Sequence, residues 1–290
     1  MIRETLNKLI ENITQSHPMN DIYQAKKEYQ AMSGEIFEDD KSYEARMGLF
    51  LEWFVFDRPI NGSETPLHRF MENRPDEISG DEQELCEGLK ASRHSLFLMK
   101  KSGKGHVVVL DLFEDEKLVV KEDEGKLFFN KEDVFEARIL PFRKQYFFTE
   151  NFCHHPRATY KYILSKVKPV IAEEKQDHKT LKKMNKEWFS LKKDIDGFTR
   201  KIGILVVKRD GTDSEKKKEK LSQKIESLNA EKLQLEIRFY ELQNRMDELE
   251  TNKIRIGHRA RRLSLMKQLA YMSLKWERYH NVDVRDIYRD

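Results

Sequence analysis

The stretch that decides the fold is LSQKIESLNAEKLQLEIRFYELQNRMDELETNKIRIGHRARRL, residues 221–263. Leu221, Ile225, Leu228, Lys232, Leu235, Phe239, Leu242, Met246, Leu249, Lys253, Ile256, Ala260 and Leu263 follow one another four and three residues apart. That alternation keeps one stripe on one face of a helix for about six heptads. Upstream, Leu181, Met184, Trp188, Leu191, Ile195, Phe198, Ile202 and Leu205 repeat the rule. The frame runs back through Ile171, Val167, Leu164 and Tyr160, with Glu174 and His178 as polar members. Pro169 predicts a kink there, because proline lacks the N–H the helix ladder needs.

Lys208-Arg209-Asp210-Gly211-Thr212-Asp213-Ser214-Glu215 separates the two runs. Gly211 predicts a left-handed helix cap, and Thr212 with Glu215 spells a capping box for the next helix. Short loops join antiparallel neighbours. The expectation is a long antiparallel coiled-coil hairpin over 153–263, turning near Gly211 and setting Phe198 near Ile225 and Trp188 near Leu235. Such an arm is on the order of 75 Å long. A parallel homodimer through 221–263 is the rival. Its flanking pairs would be Lys224–Asn229, Glu231–Glu236, Arg238–Gln243 and Arg245–Glu250, and only the last is attractive. The intrachain hairpin is therefore preferred, and a homodimer of finished hairpins stays open.

Working outward, residues 1–93 read as helices. Leu6, Leu9, Ile10 and Ile13 form one apolar stripe. Asn20 predicts the cap of a second helix ending at Gly34, and Asp39 or Asp40 the cap of a third that Pro59 stops. Thr65-Pro66 and the capping box Ser79–Glu82 mark two further helix starts. From 94 to 152 the pattern becomes short runs rich in Val, Phe, Leu and Ile: Ser95–Lys100, Gly105–Leu112, Leu118–Lys121, Leu127–Asn130, Val134–Leu140 and Gln145–Thr149. Even spacing with tight turns predicts a small antiparallel barrel or sheet leaning on the preceding helices. Residues 264–290 form an amphipathic C-terminal tail, read as docking back on the head in preference to binding a partner. The fold class is α+β.

The chain of 290 residues carries a net charge of only +3, and that mean conceals an asymmetry. Residues 1–150 hold 21 Lys/Arg against 30 Asp/Glu, a net of −9; residues 151–290 hold 33 against 21, a net of +12. Two cysteines, Cys86 and Cys153, make no disulfide framework. No apolar run is long enough for a signal peptide or a bilayer span, so the expectation is a cytoplasmic protein without membrane contact.

Tests for catalysis come back empty: there is no P-loop, zinc pattern, nucleophile elbow or EF-hand loop. Gly103-Lys104-Gly105 reads as a hairpin turn. Cys153-His154-His155 reads as the lead-in to the long helix, since adjacent side chains diverge too far to ligate one metal together. Glu114-Asp115-Glu116 and Glu122-Asp123-Glu124 read as solvated turns. No catalytic residue, metal ligand or cofactor is assigned. Two basic clusters remain. Lys208, Arg209, Lys216, Lys217 and Lys218 sit at the hairpin tip and suit a protein partner. Lys253, Arg255, Arg259, Arg261 and Arg262 form the densest row and suit phosphates, or a solvated face.

Phe50-Leu51-Glu52-Trp53-Phe54-Val55-Phe56-Asp57-Arg58-Pro59, followed by Thr65-Pro66-Leu67 and Phe70-Met71, resembles a stretch of uncharacterised bacterial proteins. In those it precedes a β-rich region with a late G-D-x-x-x-A-R-like element. Glu132-Asp133-Val134-Phe135-Glu136-Ala137-Arg138 corresponds to it here, without the glycine. The resemblance spans about residues 45–165 and implies a shared head domain with no known activity. The residues themselves read as core, with Asp57 and Arg58 as an ion pair at a helix end. A cleft near Glu52, Asp57, Arg58 and His68 is the enzymatic alternative. The preferred function is a non-catalytic scaffold or adaptor offering the coiled-coil arm to a protein partner; the alternative is a nucleic-acid-binding protein that uses the basic arm.

Overall fold

The computed structural model describes residues 2–60, 62, 64–73, 80–122, 130–279 and 281–289. Two compact units emerge, one of Met1–Pro169 with Arg262–Asp290, the other of Val170–Arg261. The predicted strand at Leu127–Asn130 and the Ser79 capping box lie largely outside the described residues.

In the first unit, α1 (Ile2–Gln15) buries Leu6, Leu9, Ile10 and Ile13. α2 (Met19–Ser33) follows Pro18 instead of Asn20, and Gly34 closes it at φ +88°, where a side chain would be strained. α3 (Tyr43–Phe56) starts after Ser42. Asp40 does not cap it; its carboxylate accepts from the Phe37 amide and from Arg278. α3 is buried nearly all round, with Leu49, Phe50, Trp53, Phe54, Val55 and Phe56 in the core. α4 (Pro66–Asn73) and α5 (Gly80–Lys90) complete the helical half.

The strands are β1 (Arg93–Gly103), β2 (His106–Asp111), β3 (Glu116–Lys121), β4 (Val134–Phe142), β5 (Gln145–Phe148) and β6 (Cys153–His155). Their order is β1-β2-β3-β5-β4-β6, and a further β1–β4 pairing closes the first five into a ring. The predicted antiparallel barrel is therefore mixed. β5 runs back beside β4 and meets β3 in parallel at Val120–Tyr146 and Lys121–Phe147. The register of β1 shifts between Met99 and Lys101, a bulge that lets one strand bend round two partners. Phe97, Met99, Val107, Val109, Leu118, Val120, Phe135 and Ile139 fill the ring. β4 is buried from Val134 to Leu140, because Leu140 belongs to the helical core on its outer side. The Cys153–His155 lead-in is itself a strand on β4.

α8 (Arg259–Arg278) inserts Leu265, Met266, Leu269, Ala270 and Leu274 into the cores, and α9 (Val284–Ile287) ends the chain. Tyr288 is buried against His155 and Tyr162, so the tail docks in this unit.

The second unit is helical. α6 (Tyr160–Asp210) is unbroken through Pro169, and α7 is Glu215–Glu248. Gly211 ends α6 with its amide on the Val207 carbonyl and without positive φ; Ser214 precedes α7 with no side-chain cap. Both predicted caps are thus absent, and backbone bonds close the two helix ends. Contacts rise along α6 as they fall along α7. Trp188 stacks on Phe239 at 4.9 Å, Glu187 accepts from Arg238 at 2.8 Å, and Asp177 accepts from Lys253 at 2.8 Å.

A π-helical segment, Leu249–His258, follows α7. It overturns the expected seam. Each π turn takes up an extra residue, so the inward positions after Leu249 become Ile254 and His258. Ile256, expected inside, is 50% exposed, Ala260 is exposed, and His258 is only 7% exposed. The cause lies on α6, whose inward Glu174 and Asp177 are both buried. An apolar Ile256 opposite Asp177 would leave that carboxylate with Lys253 as its one cation, and a buried carboxylate is costly where its partners are few. The π segment instead presents His258, whose Nε2 lies 3.0 Å from Asp177.

Candidate functional site

The first unit holds a buried cluster of charges where β4, α3, α2 and α8 converge. Glu136 and Arg138 project from β4, Glu52 and Asp57 from the end of α3, His94 from β1 and Lys267 from α8. Lys267 Nζ donates to Glu136 Oε1 at 2.8 Å and to the Tyr29 hydroxyl at 3.2 Å. His94 bridges two carboxylates, its Nε2 2.8 Å from Glu136 and its Nδ1 3.5 Å from Asp57. Arg138 forms a close ion pair with Asp57, donates to Ser92 Oγ at 3.0 Å and lies over the Phe56 ring. Its Nε faces Glu52 Oε2 at 3.4 Å, a contact between charges and not a hydrogen bond. Asn151 donates to the other Glu52 oxygen at 2.7 Å. Arg46 donates to the carbonyls of Ser33 and Ala270.

Burial opposes charge in such a place, and the partners decide the outcome. Desolvation pushes Glu136 up, yet the Lys267 ammonium and the His94 hydrogen bond outweigh it and hold the carboxyl far below its usual range. Desolvation likewise opposes the Lys267 charge, and Glu136 reverses it, so that its pKa is raised. Burial pushes the Cys153 thiol up to about 12 and His155 down to about 4. A thiol so raised is not a nucleophile at neutral pH.

The cluster absorbs part of the cleft proposed from sequence and disperses the rest. Glu52 and Asp57 meet Arg138, while Arg58 turns away to form a two-pronged pair with Glu28, so Asp57 and Arg58 are not partners. His68 bonds Thr65 at the start of α4. Glu114 pairs with Arg262 and Glu116 with Arg93, so the first acidic turn is ion-paired as well as exposed; of the second, Glu122 is buried, against expectation, and Asp123 and Glu124 lie outside the described residues. Among the described residues no group of three His, Cys, Asp or Glu is placed to hold a metal ion, and no helix is long and apolar enough to cross a membrane.

The predicted basic clusters are placed as follows. At the turn, Arg209 pairs with Asp210 and Lys218 with Glu215, while Lys208, Lys216 and Lys217 are exposed and take part in no ion pair among the described residues. In the other row Lys253 pairs with Asp177, Arg261 with Glu173 and Arg262 with Glu114. Arg255 and Arg259 are exposed. Much of this row is spent on acids of its own chain. A groove of about 450 Å³ opens beside the π segment, lined by Thr180, Met184, Arg245, Glu248, Leu249, Asn252 and Lys253.

Two features of the second unit escaped the sequence reading. Phe189, Leu233, Ile237 and Tyr240 are exposed apolar side chains outside the heptad stripe. On α6, Lys179, Lys182, Lys183, Lys186 and Lys193 are exposed and take part in no ion pair among the described residues. The signal was present in the composition: from Lys175 to Lys193 seven lysines accompany two acids, Asp177 and Glu187.

These features define an α+β protein in which buried ion pairs tie a small barrel to helices, with a second unit built of long helices. The chain belongs to a family of unknown function (DUF7986), whose profile matches residues 1–202. No curated protein and no solved structure matches it.

Proposed function

We propose that the protein is a non-catalytic adaptor, and that α6 and α7 act as an antiparallel coiled-coil hairpin offering a face to a protein partner. The observation that carries this reading is the exposure of Phe189 (64%) and Tyr240 (63%) beside Leu233 and Ile237. Phe189 and Tyr240 each follow a member of the stacked pair Trp188–Phe239. In two antiparallel helices, side chains one step after facing seam residues turn toward the same side. Leu233, Ile237 and Tyr240 are spaced four and three apart, so they share a face of α7. Large apolar groups gathered on one solvent face mark an interaction site more often than an ordinary surface.

In this reading the buried charges of the first unit are structural. Each carboxylate there faces a cation, and Lys267, Glu136 and Arg138 are closed off from solvent. Nucleic acid is the second reading. A five-stranded ring is also the architecture of small oligonucleotide-binding barrels. Against it, the outward positions of β2 and β3 (Val108, Leu110, Lys117, Val119) offer no aromatic ring on which a base could stack.

The test is affinity capture from extract of the native cell with nuclease present, using full-length protein and the variant Phe189→Ser with Tyr240→Ser. A defined protein retained by the first and lost by the second supports the adaptor. Equal capture by both, or capture that nuclease abolishes, refutes it.

A further inference from the structure

We infer that the outer face of α6, formed by Lys179, Lys182, Lys183, Lys186, Phe189 and Lys193, receives an acidic amphipathic helix of the partner. This deepens the adaptor reading and rests on it. The first observation is how the local acids are used. Asp177 turns to Lys253 and His258, and Glu187 to Arg238. Asp177 thereby faces the π segment and Glu187 faces α7, so from Lys179 to Lys193, up to the exposed Asp194 and Asp196, the outward side of α6 carries one sign of charge.

Helical spacing gathers these charges. Lys179, Lys186 and Lys193 repeat every seven residues, while Lys182 and Lys183 lie a turn from Lys179 and Lys186. The stripe covers roughly 21 Å at 1.5 Å per residue. Like charges three and four apart each cost a helix a few tenths of a kcal/mol. A face that served only solubility would mix its signs, as α7 does with Arg238, Glu241, Arg245 and Glu248. An uncompensated stripe is stabilised when an anionic partner covers it.

The apolar residues select the kind of anion. A nucleic-acid strand would set its phosphates on the lysines and could stack a base on Phe189, but would gain nothing from Leu233 and Ile237. A helix with an apolar side and heptad-spaced carboxylates uses both. Its acids recur about every 10.5 Å, the rise of seven helical residues, which is the spacing of Lys179, Lys186 and Lys193. Its apolar side then covers Phe189 and Tyr240.

The experiment measures fluorescence anisotropy of full-length protein with a labelled helical peptide of about 21 residues, leucine at its heptad core positions and glutamate beside them. A peptide of the same composition in scrambled order and a single-stranded oligonucleotide serve as competitors. Binding of the patterned peptide, at least tenfold weaker after Lys179→Glu, Lys183→Glu and Lys186→Glu with unchanged circular dichroism, is the expected result. The milder variant with glutamine at the same positions is expected to fall between. Affinity unchanged by these variants, equal binding of the scrambled peptide, or displacement by the oligonucleotide overturns the inference. Should the native partner remain captured by the lysine variants but be lost with Phe189→Ser and Tyr240→Ser, the adaptor stands and only the acidic helix fails.

Discussion

At the scale of single residues, Lys267 and His155 show how the first unit depends on buried polar groups in opposite ways. Lys267 stays charged because Glu136 faces it at 2.8 Å. Lys267→Met would leave that carboxylate inside with only His94 to balance it, and loss of one member of a buried pair costs about 3–5 kcal/mol. Urea denaturation should show a loss of that size. The double variant Lys267→Met with Glu136→Leu should recover much of it, since no lone charge remains. His155 is held neutral. Its Nδ1 lies 3.0 Å from the Tyr288 hydroxyl and its Nε2 has no hydrogen-bond partner, so a second proton has nothing to stabilise it. Its pKa of about 4 in the folded chain lies below the ordinary 6.5. A depressed histidine contributes stability in full above 6.5, and that contribution falls away as pH drops toward 4. Between pH 7 and pH 5 the loss should be about 2 kcal/mol at 1.36 kcal/mol per unit. The measurement is the urea midpoint at both pH values; His155→Gln, which cannot titrate, should flatten that difference, and an undiminished slope would contradict the assignment. Neither role could be read from sequence, because the partners come from segments more than 100 residues apart.

At the scale of elements, local pattern and long-range demand part company in the segment after α7. The heptads from Leu221 to Leu249 place the inward side chains correctly, with Ile225 and Leu242 buried. Beyond Leu249 the same frame predicts Ile256 inside, and the π segment puts His258 there. Periodicity describes one helix, whereas the position of the seam depends on what the other helix holds, here the buried Asp177. Strand existence was legible for a similar reason: alternation in Val107, Val109, Leu118 and Val120 is local. Closure of the ring was not, because the parallel β3–β5 contact joins residues that no short window contains. The π segment yields a reversed order of sensitivities. Ile256→Ala should change stability by no more than about 0.5 kcal/mol, as exposed substitutions do. Leu265→Ala, outside the heptad frame but buried, should cost about 2–5 kcal/mol. Thermal melts of the two variants decide the matter, and equal losses would restore the uninterrupted heptad. Gly257 fits the same account: a Cβ there would lie 3.1 Å from the Asn252 carbonyl, the oxygen five residues back that a π turn brings close.

At the scale of the whole molecule, the charge asymmetry between the halves has a concrete use. Basic residues of α8 are partners of acids near the N-terminus and in the barrel: Arg278 with Asp40, Arg262 with Glu114, Lys267 with Glu136. The family profile ends at residue 202, inside α6, whereas the first unit is completed by Arg262–Asp290. Its apolar core has the same dependence, since Leu265, Met266, Leu269 and Leu274 of α8 are all buried. A chain cut after residue 261 would therefore expose an apolar surface and strand Glu136 without its cation. The prediction is that this truncated chain loses fixed tertiary packing while keeping helix: near-ultraviolet circular dichroism from Tyr29 and Trp53 should collapse, far-ultraviolet helicity should persist, and an apolar dye should bind. Adding back a peptide of residues 262–290 should restore the near-ultraviolet signal, because the groups it supplies meet partners already encoded upstream. A truncated chain with native near-ultraviolet ellipticity would show that residues 1–169 form a complete core and that α8 is an accessory to it.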